Sequence, residues 1–374
     1  MKFEILKENF KKAANICERI TRKTISLPVL QNVLLKTSGN FLELTTTNLE
    51  MSITWWILAK INKQGSLLVP ATFLSNVLNL TVSEKVEIGE ENKNLVLISE
   101  NQEMQIQGQL PEEFPIIPKM EKEYAWQVDG IKLADGLAQV VEQAAFSSVR
   151  PEISGVYFSF QKNKLKIVAT DSFRLAEKTV FLDKAGEKDL SFIVPQQTCR
   201  ELIAVLSQEK GGLEISANIN QVSFEIAGER PNEIKCRIQS RLIDGEYPKY
   251  QDILPKQYTT KAQLAKETFV NQLKKAGLFS GKILDVKITP QVKEGRLRFF
   301  SQNVDIGKSD SFLACKIEGK EQEVVFNYKF LLDGLNNVKG SEVFLELNGA
   351  DGPGVLRPVG DDSYFYILMP IKPH

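Results

Sequence analysis

The chain has 374 residues, 43% hydrophobic and 25% charged, with 47 basic and 47 acidic side chains and a formal net charge of zero. That length predicts two or three globular domains. The charge balance argues against a tight nucleic-acid binder, which is usually basic, while leaving room for charge segregated by face. The one histidine, His374, is the last residue, which all but excludes histidine catalysis and histidine metal sites. The cysteines Cys17, Cys199, Cys236 and Cys315 form no C-x-x-C pair, so buried thiols in a reducing compartment are expected rather than disulfides or a zinc site. The opening Met1-Lys2-Phe3-Glu4-Ile5 carries no apolar signal region, and no apolar run reaches membrane-span length. A cytoplasmic protein follows as the expectation.

Along the chain, one plan is read three times. Apolar residues at helical spacing predict a first helix carrying Phe10, Ala14, Cys17 and Ile20. The pattern returns at Leu133, Leu137, Val140 and Ala144, and again at Phe269, Leu273 and Ala276. An alternating strand running into a polar turn follows each: Leu42-Glu43-Leu44 into Thr46-Thr47-Asn48-Leu49, Leu165-Lys166-Ile167 into Thr170-Asp171-Ser172, and Leu297-Arg298-Phe299 into Gln302-Asn303-Val304. Next come an apolar strand and a second helix, entered at Pro70, Pro195 and Asn327, with proline suited to the first turn. These second helices are expected to carry Phe73, Val77 and Leu80; Leu202, Val205 and Leu206; and Phe330, Leu331, Leu335 and Val338. The spacing supports the repeat: 125 residues separate Pro70 from Pro195, and 132 separate Pro195 from Asn327. Short alternating strands fill the intervals, and Gly349 to Gly354 reads as a hairpin loop. The fold class is therefore α+β: three similar domains, each with two helices packed on antiparallel sheet, spanning 1–119, 120–253 and 254–374.

Chemistry-bearing motifs are scarce. No P-loop, dinucleotide-binding or nucleophile-elbow string occurs, and adjacent acids such as Glu112-Glu113 and Asp361-Asp362 fit solvated loops or opposite strand faces. A non-enzyme without cofactor or metal is expected. Basic residues lean to one side of the first helix (Lys12 among them) and to the end of the fifth (Lys274 and Lys275), while Arg200 is balanced by Glu201.

Several strings resemble the bacterial DNA sliding-clamp family, the beta subunit of DNA polymerase III. They are Leu27-Pro28-Val29-Leu30-Gln31-Asn32, Thr47-Asn48-Leu49-Glu50-Met51, Leu110-Pro111-Glu112-Glu113-Phe114-Pro115, Arg150-Pro151-Glu152-Ile153-Ser154-Gly155-Val156, Ala169-Thr170-Asp171-Ser172-Phe173-Arg174-Leu175-Ala176, Asp244-Gly245-Glu246-Tyr247-Pro248 and Tyr366-Ile367-Leu368-Met369-Pro370-Ile371. The resemblance covers essentially the whole chain in order. It implies a head-to-tail homodimer closing a six-domain ring around double-stranded DNA, bound without sequence preference, which gives processivity to the replicative polymerase. A repeated-domain interaction scaffold that never encircles DNA is the alternative. The resemblance also implies docking of short peptide motifs from the polymerase alpha subunit, the clamp loader, other polymerases and repair proteins. The pocket implied is Ile153, Thr170, Ser172, Phe173, Arg174, Leu175, Pro248, Ile253, Ile367, Met369, Pro370 and Ile371. DNA contacts are expected from Arg22, Lys23 and Arg150 in loops, with Lys12, Arg200, Lys274 and Lys275 on helices. A dimer interface is expected to bring Leu278 and Phe279 against the edge strand carrying Met104 and Ile106. The chain departs from the family at Gln196 and Gln197, where basic residues are frequent, and at Asp252, where some members carry a base.

Overall fold

Phe10, Ala13, Ala14, Cys17 and Ile20 are buried along one stripe of a fifteen-residue helix, and the strand before it runs straight into that helix. In the computed structural model, which describes residues 1–21, 27–100, 102–184, 188–209, 211–228, 230, 233–255 and 257–372, this strand-to-helix unit opens each of three repeats. The first repeat comprises β1 (Lys2–Leu6), α1 (Lys7–Thr21), β2 (Asn32–Ser38), β3 (Phe41–Thr47), β4 (Met51–Leu58), β5 (Lys60–Lys63), β6 (Ser66–Pro70), α2 (Ala71–Leu80), β7 (Lys85–Glu91), β8 (Asn94–Ser99) and β9 (Gln102–Gln107). The second comprises β10 (Tyr124–Asp129), α3 (Gly130–Val140), β11 (Gly155–Gln161), β12 (Lys164–Thr170), β13 (Arg174–Phe181), β14 (Leu190–Pro195), α4 (Gln196–Leu206), β15 (Gly212–Ala217), β16 (Gln221–Ala227) and β17 (Ile234–Arg241). The third comprises β18 (Thr260–Ala265), α5 (Lys266–Gly277), β19 (Asp285–Gln291), β20 (Arg296–Asn303), β21 (Gly307–Ala314), β22 (Lys316–Gly319), β23 (Val324–Asn327), α6 (Tyr328–Asn337), β24 (Glu342–Leu347), β25 (Gly354–Pro358) and β26 (Tyr364–Leu368).

All the strand pairings are antiparallel, and the sheets do not stop at the repeats. An eight-stranded sheet, β10-β15-β16-β17-β4-β3-β2-β6, joins the second repeat to the first through β17 and β4. A nine-stranded sheet, β14-β11-β12-β13-β26-β25-β24-β18-β22, joins the second to the third through β13 and β26. The remaining sheets are β5-β1-β7-β8-β9 and β21-β20-β19-β23. Because neighbours share a sheet, the chain divides into two compact units rather than three. Met1–Ala134 with Arg200–Leu242 makes most of one, and Asp135–Phe181 with the chain from Ile243 onward makes most of the other. The middle repeat contributes one sheet to each.

Three sequence expectations need correction. The second helix buries Leu74, Ser75 and Leu78, while Phe73 is 65% exposed and Leu80 82% exposed. The helix exists as expected, but its inward face is rotated from the one the spacing suggested, because apolar residues lie on both sides of it. The third helix ends at Val140 in a short 3-10 turn, leaving Ala144 beyond it. Pro70 and Pro195 close their strands rather than opening the helices. At the corresponding place Asn327 caps α6, its side chain accepting from the Lys329 amide at 3.0 Å. Three of the four thiols are buried, and burial pushes that of Cys17 up to about 12.

The corrected face of α2 is testable. Leu78→Ala should lower the stability of the isolated chain in urea by about 2–4 kcal/mol, and Leu80→Ala by less than about 0.5 kcal/mol. Equal losses at both positions would overturn this assignment.

Candidate functional site

The turn between β12 and β13 is built by its own side chains. Asp171 Oδ1 accepts from the amides of Phe173 at 3.0 Å and Arg174 at 2.9 Å, and Ser172 takes the left-handed backbone conformation, φ +78°. The Thr170 hydroxyl donates to the Arg174 carbonyl at 2.7 Å and accepts from the Ser172 amide at 3.1 Å. The Met369 amide then donates to the Phe173 carbonyl at 2.8 Å, continuing the β13–β26 ladder in which Arg174 faces Leu368 and Leu175 faces Ile367. Thus Thr170 to Leu175 and Ile367 to Met369, more than 190 residues apart, form one strip.

Below this strip, Leu175 and Ile367 belong to a buried cluster with Val168, Ile193, Tyr247, Tyr250, Val355 and Phe365. Both are only 1% exposed, so they form the floor. Phe173, Ile253 and Met369 stand out from the surface at 63%, 49% and 37% exposure. Pro248, Pro370 and Ile371 are half-buried, and the Ile371 amide donates to the Val325 carbonyl at 2.8 Å. Ile153 is buried in a short turn after Pro151. An adjoining cavity of about 440 Å³, lined by Tyr157, Ile193, Tyr247 and Tyr250 among others, meets the expected set only at Pro248. The Tyr157 and Tyr247 rings stack at 4.7 Å, and Tyr250 donates to Glu177. Burial, with Glu177 beside it, drives the Tyr250 hydroxyl far above its ordinary range.

Arg174 is caged. Its Nε donates to Asp171 Oδ2 at 2.9 Å and its Nη1 to Asp333 Oδ2, while the guanidinium lies 4.6 Å from the centre of the Phe330 ring. Burial works against the charged form, but Tyr366, Asp171 and Asp333 together raise its pKa. Phe330 and Asp333 come from α6, which approaches β26 closely because Gly334 sits against Tyr366; a Cβ there would come within 2.5 Å of the ring. Arg150, expected at DNA, lies against this turn: Nη1 donates to Ser172 Oγ and Nε to Glu152 Oε1, both at 3.0 Å. Asp171, Phe330, Asp333 and the tyrosines were missed from sequence. Only Asp171 had a local signal, its place in a polar turn; Asp333 lies 159 residues from Arg174.

Other expected residues do not converge. Arg22 and Lys23 lie outside the described residues. Lys12 is engaged elsewhere: its Nζ lies 2.5 Å from Glu209 Oε1 and 2.9 Å from the Gln208 carbonyl. Arg200 is exposed on α4, and Lys274 and Lys275 are exposed in the last turn of α5. Of the interface residues, Leu278 is 72% exposed, Phe279 and Met104 are half-buried and Ile106 is buried. Among the described residues, no group of three or more His, Cys, Asp and Glu could hold a metal ion, and no helix is long and apolar enough to cross a membrane.

This strip lies on a sheet shared by the second and third repeats, and the chain as a whole is similar to known proteins. Three models match in order: the N-terminal domain of the DNA polymerase III beta subunit over 1–118, its central domain over 127–249 and its C-terminal domain over 251–372. The beta sliding clamp of Bacillus subtilis (strain 168) is 25% identical over 384 residues, covering all of both chains. That of Staphylococcus aureus (strain Mu50) is 25% identical over 382 residues, covering all of this chain and 99% of its own. Among solved structures, the Bacillus subtilis clamp aligns with TM-score 0.91 at 24% identity. A Pseudomonas aeruginosa clamp bound to griselimycin aligns with TM-score 0.93 at 21% identity. Both alignments cover all of both chains. The repeats read from the sequence, the sheets that join them and these full-length matches lead to one statement: the chain belongs to the DNA polymerase III beta subunit family.

Proposed function

We propose that this chain is a DNA sliding clamp: two copies join head to tail in a six-domain ring that encircles duplex DNA and tethers the polymerase. The observation that carries this reading is the pattern of joined and unjoined strands. β17 pairs with β4 and β26 pairs with β13, whereas β9 and β21, the corresponding strands of the first and third repeats, end their sheets. A second copy supplies the missing partner to each, and such a heterologous contact leaves no open edge once the ring closes. The clamp domains on this reading span 1–119, 120–253 and 254–374. A ring holds DNA by topology, so zero net charge suffices. Arg22, Lys23, Arg200, Lys274 and Lys275 supply weak phosphate contacts, and Arg150 belongs with the groove. The protein works in the cytoplasm as a processivity factor, without catalytic chemistry of its own.

Helices meet at both seams within the chain. α1 reaches the middle of α4 through Arg19–Glu201 at 2.9 Å and the segment just past its end through Lys12–Glu209. α3 reaches the end of α6 through Gln139, which donates to the Asn337 carbonyl at 2.6 Å, and through Asp135–Lys339. The third pair is α5 with the second copy's α2. The exposed Leu278 then meets the apolar side of α2 that carries Phe73 and Leu80, with Val82, 94% exposed, just beyond it. Partner peptides occupy the strip over Leu175 and Ile367, between Phe173, Pro248 and Met369.

Replacing Leu278 and Phe279 together by Ala, or Leu80 by Asp, should leave a monomer by light scattering, while the wild type gives twice the chain's 42.1 kDa. A dimer persisting at micromolar concentration in either variant would contradict this interface. Clamp loaded on closed circular DNA should remain bound until the circle is cut, with little affinity for short linear duplex at physiological salt. A scaffold that does not encircle DNA would treat the two alike. A peptide with spaced leucine and phenylalanine should bind with micromolar affinity, about −8 kcal/mol at 1 μM. Met369→Ala should weaken it by about 1–2 kcal/mol, and Asp252→Lys should favour acidic peptides over neutral ones. Titrations in which Met369→Ala binds as the wild type does would rule out this pocket.

A further inference from the structure

The seam between the first and second repeats reproduces the backbone of the strip just described, with different side chains. Asn48 Oδ1 accepts from the amides of Glu50 at 3.1 Å and Met51 at 2.8 Å, as Asp171 does for Phe173 and Arg174. The Thr47 hydroxyl donates to the Met51 carbonyl at 2.8 Å and accepts from the Leu49 amide at 3.0 Å, as Thr170 does for Arg174 and Ser172. Leu49 takes a left-handed φ of +74°, against +78° for Ser172. The Arg241 amide donates to the Glu50 carbonyl at 2.8 Å, as the Met369 amide does to the Phe173 carbonyl. By register, Met51 and Ser240 stand where Arg174 and Leu368 stand, and Ser52 and Gln239 where Leu175 and Ile367 stand.

A cavity of about 210 Å³ opens here, between this turn and the segment Pro115 to Pro118. Its exposed apolar wall is Leu49, at 52%, and Ile116, at 94%. The floor is polar: Gln239 donates to the Pro118 carbonyl at 3.2 Å and to Gln221 Oε1 at 3.1 Å. Arg241 occupies the place of Met369, is exposed, and its guanidinium has no hydrogen-bond or ion-pair partner among the described residues. Glu50, in the place of Phe173, is exposed as well.

We infer that this first seam is a second docking groove, for an extended peptide segment that sets an acidic side chain on Arg241 and an aliphatic one against Leu49 and Ile116. The inference rests on the docking reading of the second seam. An unpaired guanidinium at the rim of an apolar-walled cavity is complemented by a carboxylate. Hydrogen-bonding groups on the floor suit a peptide backbone better than the buried leucine and isoleucine of the other groove do. Glu50 opposes the acid and confines it to the Arg241 side, so its neutralisation tightens binding.

The chain has five methionines, and Met51 lines the first groove while Met369 stands on the second. Methyl-labelled methionine in the full-length protein therefore reports both grooves in one spectrum. The probes are acetyl-Leu-Gly-Asp-Leu-amide and acetyl-Leu-Gly-Lys-Leu-amide. The aspartate peptide should shift the Met51 methyl. Arg241→Glu should weaken that response about three- to tenfold and transfer the preference to the lysine peptide, and Glu50→Gln should strengthen it. A Met51 signal unmoved by the aspartate peptide, or moved equally in wild type and Arg241→Glu, overturns the inference. A Met51 response without any at Met369 would support it and count instead against the second groove.

Discussion

Everything else in this molecule hangs on one kind of contact, an antiparallel strand pair that crosses from one repeat into the next. At the first such seam Ile238 faces Ile53 and Gln239 faces Ser52; at the second Leu175 faces Ile367 and Ala176 faces Tyr366. Each crossing joins a four-stranded sheet of the second repeat to a sheet of its neighbour and satisfies backbone groups that an edge would leave to solvent. The same contact explains why compactness divides the chain through its middle repeat, and why β9 and β21 are left as complementary ends. It also fixes where the recesses beside the seams arise. Wherever a strand end is sewn to a neighbour's turn, a left-handed residue lifts the chain away from the sheet and leaves a recess beside it.

The charges follow from this architecture. Glu209, almost wholly buried, lies between Lys12 and Lys235, and Glu201, equally buried, holds Arg19. Lys12, Lys235 and Arg19 stay 31%, 39% and 48% exposed, so it is the buried carboxylate that loss of a cation would leave uncompensated. These cations therefore hold the seam before they are available to a phosphate. A chain of zero net charge whose helix lysines are partly committed to carboxylates is poorly suited to static grip on DNA and well suited to free movement along it.

The sequence disclosed the repeat because period and order survive divergence: the apolar stripe recurs in α1 and α5, and Asn48, Asp171 and Asn303 each accept from the amide two residues on. Side-chain phase on α2 was not legible. Ala71, Phe73, Leu74, Val77, Leu78 and Leu80 surround that helix, and periodicity cannot tell a core face from an interface face when both are apolar. The strip of the candidate site was legible as two strings, but its supporting partners were not. Nothing local in Phe330 or Asp333 marks them as the cage of an arginine on another repeat. Lys12 misled for the same reason, since its carboxylate partner is 197 residues away.

That cage bears on how the second groove can act. Arg174 is held in one orientation by two carboxylates and an aromatic face, so a partner docking there, as proposed, would meet it already ordered and cost little side-chain entropy. Its two bonds to Asp171 and Asp333 also mean that it does not present an uncompensated positive charge. A ligand carboxylate would have to compete with Asp333 for it. On the docking role proposed above, the groove selects by shape and apolar contact at Phe173, Met369 and Pro248, with a neutralised arginine as its rigid border. In the first groove the corresponding position is Met51, and the free guanidinium has moved to Arg241 on the facing strand. On the two proposed readings, one backbone geometry yields two recognition chemistries, apolar in one seam and charge-directed in the other, through substitutions at a handful of positions that the sheet itself does not constrain.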